Sequence, residues 1–258
     1  VRYKTGVSAA RTPSSPSASA RRARTRLYQL GALLVSVVAI AAVLIAVLSS
    51  GSTSDLKPGR PVPGAPRTLA LFAGIPQHGI ALGNPHAPVT LVEFGDLQCP
   101  ACAQFAQQTL PSIVSRYVRG GRVLLVFRGL DFIGSDSRRA ARMSGAVGLQ
   151  DRMFQFNELM YANQGAENSG YVTDIYLRAL AGAIPGVDVT RALAARDSAA
   201  VRVQLREAQA LARRLNLKST PSFLLYRSAA APRRFEPPNL NAGSFGDAIE
   251  RLLASGEG

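Results

Sequence analysis

Cysteine and histidine are nearly missing. The 258 residues hold two of each: Cys99 and Cys102 sit together in "DLQCPAC", residues 96 to 102, and His78 and His86 lie in a stretch rich in glycine and proline. Two cysteines cannot complete a tetrahedral zinc site, so a metal would need ligands shared between chains, and none is expected. A purely structural disulfide is disfavoured too, because a bridge closing so short a loop constrains little of the unfolded chain. Acidic residues are absent before position 27, where Arg2, Lys4, Arg11, Arg21, Arg22, Arg24 and Arg26 carry half of the net charge of +14. The other half is spread over the rest of the chain and forms no basic run interleaved with aromatics, which argues against a nucleic-acid partner. Neither half contains an internal repeat.

Directly after the arginines the chain carries an uncharged run, "LYQLGALLVSVVAIAAVLIAVLS", residues 27 to 49. Residues 30 to 48 alone would extend about 28 Å as a helix, against a hydrocarbon thickness of ~30 Å, whereas the apolar part of a signal peptide runs only ~7 to 15 residues. The run lacks the polar stripe of a helix in a globular core. It reads as a single N-terminal transmembrane helix, with a cleaved signal peptide as the alternative because Ser49, Ser50 and Gly51 come next. Cations on its amino side place the N-terminus in the cytoplasm and everything after residue 50 outside the cell membrane. Residues 1 to 26 then form a basic, disordered cytoplasmic tail. Residues 50 to 68, rich in Pro, Gly and Ser, form a linker, and residues 69 to 258 the folded domain. The sequence opens on Val1 instead of methionine, which fits an alternative start codon or a fragment.

Within the domain, "VTLVEF", residues 89 to 94, has the composition of a buried strand that Gly95 and Asp96 end. A helix begins near Cys99, with Pro100 in the first turn, where its missing N–H costs nothing. Cys102, Phe105 and Ala106 recur at helical spacing on the core side, while Cys99 lies beside the unsatisfied N–H groups of the helix start. One sulfur should be reachable and the other shielded. Pro111 should kink or end the first helical segment. "RVLLVF", residues 122 to 127, is a second strand and completes a βαβ unit. "STPSFLLY", residues 219 to 226, supplies a third strand, and a terminal helix comes after it with Ser244 and Asp247 at capping-box spacing. Residues 135 to 215 are predominantly helical and read as an insertion, so the fold class is α/β.

"GNPHAPVTLVEFGDLQCPAC" and "STPSF" at this separation, with a helical insertion between them and a helix after them, resemble the DsbA-like branch of the thioredoxin superfamily. The resemblance covers roughly residues 76 to 255 and is strongest to membrane-anchored forms from Gram-positive and actinobacterial-type envelopes. It implies a thioredoxin-like fold and a thiol-disulfide oxidoreductase with Cys99 and Cys102 as the redox-active pair, Cys99 attacking and Cys102 resolving the mixed disulfide. It also implies that Glu93 is a buried carboxylate beneath the pair that relays a proton to or from Cys102. The residues alone leave open an exposed acid at a strand edge. Pro221 corresponds to a cis-proline facing the disulfide, with Thr220 presenting the backbone that pairs with substrate; an ordinary trans-proline at a strand start is the alternative. Asp96 and Gln98 flank the site and shape its turn.

The function expected from this pattern is the introduction of disulfides into exported proteins. The same site would serve a reductase or isomerase, and a non-catalytic module that holds exported chains is a third reading. Resemblance implies recharging by a quinone-linked membrane partner of the DsbB or vitamin K epoxide reductase type, and no tightly bound cofactor. How strongly the helix start stabilises the Cys99 thiolate decides direction. A thiol pKa of ~3.5, as in DsbA, favours the reduced form by about 4.8 kcal/mol at pH 7, and one near 7 by only ~0.4 kcal/mol.

Overall fold

A computed structural model describes residues 56–255, so the tail, the apolar run at 27 to 49 and the first part of the linker lie outside it. Among the described residues no helix is long and apolar enough to cross a membrane. Six strands form one sheet: β1 (Gln77–His78), β2 (Ala81–Leu82), β3 (Val89–Asp96), β4 (Val123–Leu130), β5 (Ser222–Arg227) and β6 (Arg234–Phe235), in the order β1-β2-β4-β3-β5-β6. All eight residues of β3 are buried, because the strand lies between β4 and β5 and is covered on both faces. Its near-continuous apolar run, without alternation, reflects that double burial. β3 and β4 are parallel, with Glu93 beside Phe127, and β5 runs antiparallel on the other side, with Glu93 beside Phe223. The short strands β1, β2 and β6 were not visible in the sequence pattern; two residues each cannot carry a period.

The chain from β3 to β4 is helical over residues 100–118. It runs as an α-helical Pro100–Gln104, a π-helical Phe105–Thr109, an α-helical Leu110–Ile113 and a π-helical Val114–Val118, together called α2. The expected break at Pro111 takes the form of the π turn just before it. Pro111 has no N–H for the carbonyl of Gln107, one helical turn back, and that carbonyl instead accepts a hydrogen bond from the Arg67 guanidinium at 3.1 Å.

The remaining helices are α1 (Ala65–Phe72), α3 (Ser135–Gly148), α4 (Met153–Ala162), α5 (Asp174–Gly182), α6 (Val189–Ala195), α7 (Ala199–Arg214) and α8 (Ala242–Ala254). Helices α3 to α7 occupy the stretch read as a helical insertion. The fold is therefore thioredoxin-like α/β with that insertion. The main core joins one face of the sheet, including Val89 and Leu91, to α1, α2, α4 and α8. A smaller cluster sets Val92 and Phe94 against Ala208 and Ala212 of α7.

Two boundaries differ from expectation. The domain begins before residue 69: α1 starts at Ala65, inside the stretch read as linker, and Val62 and Thr68 are buried against the core. A composition of Pro and Gly concealed a helix that opens on Ala65-Pro66. The terminal helix starts at Ala242, and its cap is Asn241, whose side chain accepts from the Ser244 N–H at 2.9 Å. Ser244 is thus inside the first turn, because asparagine three residues earlier already meets the free N–H.

Candidate active site

Strand β3 ends at Asp96, whose fully buried carboxylate organises the turn beyond it. Its Oδ1 accepts from the Gln98 N–H at 2.9 Å and the Ser137 hydroxyl at 2.6 Å, and its Oδ2 from the Ile133 N–H at 3.1 Å. The Cys99 N–H then donates to the Asp96 carbonyl at 3.0 Å, and the Cys99 carbonyl accepts the first helical bond, from Ala103, at 3.1 Å. Cys99 is the N-cap of α2 with extended backbone, which leaves its sulfur at the helix start, while Cys102 faces inward one turn later. Cys99 is 8% exposed and Cys102 fully buried, and both are free thiols.

That difference in position separates the two thiols electrostatically. Hydrogen bonding from the Cys102 thiol is the largest influence on Cys99; with help from the Thr220 side chain and the N–H groups of Cys102 and Ala101, it outweighs burial and lowers the pKa to about 6. Cys102 moves the other way: burial first, then its hydrogen bond to Cys99 and the charge of Glu93, push it well above the ordinary thiol value. When protonated, Cys99 donates to the Thr220 carbonyl at 3.3 Å. The Thr220–Pro221 peptide bond is cis, and both residues are half-buried across from Cys99. Phe105 of α2, Phe223 of β5 and Phe245 of α8 pack as tilted and edge-on rings with centroids 4.8 to 5.0 Å apart.

Glu93 is 3% exposed, on the central strand and not at an edge. Burial, then the charges of Glu158 and Cys99, raise its pKa to about 8, so it holds a proton at neutral pH. Its neighbour Gly95 is small for a reason: a Cβ there would lie 2.7 Å from the Phe127 ring, 2.9 Å from the Tyr161 hydroxyl and 3.1 Å from Glu93 Oε1.

The insertion supplies groups that local patterns did not single out. Gln164 Nε2 donates to the carbonyls of Leu97 at 2.9 Å and Cys99 at 3.2 Å. Asn168 donates its N–H to Gln98 Oε1 at 2.8 Å and its amide to the Ile133 carbonyl at 2.7 Å. Glu158 and Tyr161, on α4, lie on the buried side of the pair. The only hint of these roles is a run of polar residues in and after an apolar helix. Among the described residues no group of three or more His, Cys, Asp or Glu is arranged to hold a metal. The arrangement can exchange a disulfide at Cys99 and hold or release a proton behind Cys102.

Residues 76–236 match the thioredoxin family. The probable disulfide bond formation protein D of Bacillus cereus is 31% identical over 155 residues, which span 59% of this chain and 72% of that protein. Among solved structures, oxidised BdbD from Bacillus subtilis aligns with a TM-score of 0.60 at 26% identity, covering 70% of this chain and 97% of that one. The fold is also shared with α-DsbA1 of Wolbachia pipientis, at a TM-score of 0.56 and 20% identity over 71% of this chain and 92% of the other.

Proposed function

This chain belongs to the thioredoxin family and is a DsbA-like thiol-disulfide oxidoreductase, and we propose that it works outside the cytoplasm as an oxidase that introduces disulfides into exported proteins. The observation that carries the direction is the split between the thiols: Cys99 drawn down to about 6, Cys102 held well above its ordinary value. A thiolate at Cys99 stabilises the reduced protein and so makes its disulfide a better oxidant. At pH 7 a pKa of about 6 contributes at most ~1.4 kcal/mol, or ~30 mV, less whatever water at the outer side of the sulfur screens. This is a smaller bias than the ~100 mV that a pKa of ~3.5 would give, but of the same sign.

In this reading a substrate thiolate attacks Cys99 Sγ and Cys102 leaves, taking a proton from Glu93. A second substrate thiolate then displaces Cys99. Extended substrate lies along the backbone at Thr220 and Pro221, as strand-like peptides do at an open edge. Electrons leave Cys99 and Cys102 to a membrane oxidase of the DsbB or vitamin K epoxide reductase type. The arginines before residue 27 and the apolar run at 27 to 49 support a single-pass anchor with the domain outside.

Equilibrating the full chain with glutathione buffers tests the direction. A potential above the ~−270 mV of thioredoxin is expected, and a value at or below it turns the assignment to a reductase. A membrane-impermeant thiol reagent on intact cells after mild reduction tests the location: Cys99 should be labelled without lysis.

A further inference from the structure

Three buried oxygens behind Cys102 have no hydrogen-bond partner among the described residues: Glu93 Oε1, Tyr161 OH and Glu158 Oε2. The first two lie 3.1 and 2.9 Å from the same point, the space left by the missing side chain of Gly95, so they are no more than about 6 Å apart. Glu158 is three residues before Tyr161 on α4, one helical turn away, and is 6% exposed. Two carboxyls and a phenol in an apolar core, unpaired, cost several kcal/mol if charged, and the fold gains no hydrogen bond from these atoms in return.

We propose that Glu158 is the outer station of a proton path whose inner station is Glu93, and that the Tyr161 hydroxyl, facing the same space at Gly95, sets the polarity around the Glu93 carboxyl. The groups facing this path are Asp96 on β3, Cys99 and Cys102 on α2, and Arg67 on α1. Arg67 marks the outer end. It is exposed, its charge acts on Glu158, and it is fixed to α2 through the Gln107 carbonyl at 3.1 Å, while Gln107 donates to the Tyr161 carbonyl at 2.8 Å. The stations are graded: burial raises Glu158 to about 7, Glu93 sits at about 8, and Cys102 lies higher still. A proton entering beside Arg67 thus moves to progressively stronger bases.

The inference rests on the reading of Cys102 as the resolving thiol. Each substrate thiol gives its proton to water on becoming a thiolate. The first thiolate attacks Cys99 Sγ, the Cys99–Cys102 bond breaks, and its electron pair goes to Cys102, which takes the proton of Glu93. Glu93 takes one from Glu158, and Glu158 one from water. The second thiolate then attacks the substrate sulfur and releases Cys99. The substrate loses two electrons and the cysteine pair gains them; on reoxidation the proton runs outward.

Stopped-flow measurements on the full-length protein with a dithiol peptide, in H2O and D2O across pH, separate attack from the Cys102 proton step. Glu158→Gln should slow that step about 10-fold, less than the ~10²-fold expected of a group that transfers the proton directly, because Glu158 acts through Glu93, while iodoacetamide alkylation of Cys99 keeps its rate. Glu158→Asp, which keeps an acid, should recover most of the loss, and Tyr161→Phe should shift the pH midpoint of the same step. A Gln variant with the wild-type pH profile, or Asp and Gln variants that behave alike, would overturn the path. If wild-type protein forms no oxidised peptide, the oxidase reading itself falls and takes the path with it. Carbon-13 titration of the glutamate carboxyls in unmodified protein decides independently of folding in the variants: coupled, raised midpoints for Glu93 and Glu158 are expected, and two ordinary ones overturn the path.

Discussion

The sheet with α2 and the helical insertion meet at the cysteine pair, and each brings a different chemistry. From the first come both sulfurs, the helix start beside Cys99, the inner acid Glu93 and the Thr220–Pro221 segment. From the second come Tyr161 and Glu158 behind Cys102, and Gln164, Ser137 and Asn168 around the turn that carries Cys99. The first region sets where electrons go. In the proposed path the second would bring protons to Glu93, and it holds the loop through Gln164 and Asn168. The difference predicts that changes in the sheet half alter the reaction itself, and changes in the insertion alter its pH dependence or the stability of the site.

The largest effect falls on the sulfurs. Cys99→Ser should abolish exchange and trap no substrate, whereas Cys102→Ser should accumulate mixed disulfides visible on non-reducing gels, because its Cys99 thiolate can still attack a substrate disulfide and no Cys102 remains to break the mixed disulfide. Equal trapping by the two variants would erase the distinction that burial draws between them.

Next in size is Glu93→Gln, which keeps shape and removes the proton. Resolution should slow by about 10²-fold with attack at Cys99 little changed, the low end for an acid-base group. The same variant reads out in stability. Glu93 is raised from 4.5 to about 8 in the folded protein, so its contribution is fully present below the unfolded value and is lost as pH rises through about 8. Urea midpoints of the wild type should fall over that window, and those of Glu93→Gln should stay flatter. Cys99 has the opposite sign. Its pKa is lowered to about 6, so the stability it gives the reduced form is present above the unfolded thiol value and is lost as pH falls through about 6.

Legibility divides along the same line. The β3–α2 junction is readable because its signals are local: an apolar run, a Gly-Asp break, Pro100 at the first turn, two cysteines at i and i+3. Cys99, Cys102, Glu93 and Pro221 are brought together by β3, α2 and β5, each of which carries its own pattern. Tyr161, Glu158 and Gln164 have no such signal. They reach the site from more than 50 residues away in sequence, and in α4 nine consecutive residues are buried, so no period marks which of them faces the cysteines. Asn241 escapes notice because a capping box three residues further on satisfies the same local rule.

Gly95→Ala tests whether the two regions are in contact as tightly as the structure has them. Backbone φ at Gly95 is not in the left-handed region, so alanine meets no conformational barrier; only the added methyl matters. That methyl would sit 2.7 Å from the Phe127 ring and 2.9 Å from the Tyr161 hydroxyl, both buried and unable to swing away. A loss of about 1–3 kcal/mol in the reduced protein is expected from overpacking. The displaced Tyr161 and Glu93 should also shift the pH midpoint of resolution. A stable variant with an unchanged midpoint would mean that the insertion stands off from the sheet here.

The smallest effect is expected at Gln164, and it is the sharpest test of what the insertion does for the sheet half. Its amide donates to the carbonyls of Leu97 and Cys99, but the second of these also receives the Ala103 N–H, so only the Leu97 carbonyl would lose a bond with no replacement from α2. One neutral hydrogen bond contributes about 1 kcal/mol, and Gln164 is half-buried, so water can enter where the amide was. Gln164→Ala should therefore lower stability by about 1 kcal/mol and leave the ionisation of Cys99 unchanged, since Gln164 bonds the backbone carbonyls and not the sulfur. Hydrogen exchange at the amides of residues 97 to 99 should quicken. A shifted Cys99 titration would show that the loop from the insertion tunes the nucleophile as well as holding it, and the boundary between the two regions' roles would have to be redrawn at Cys99.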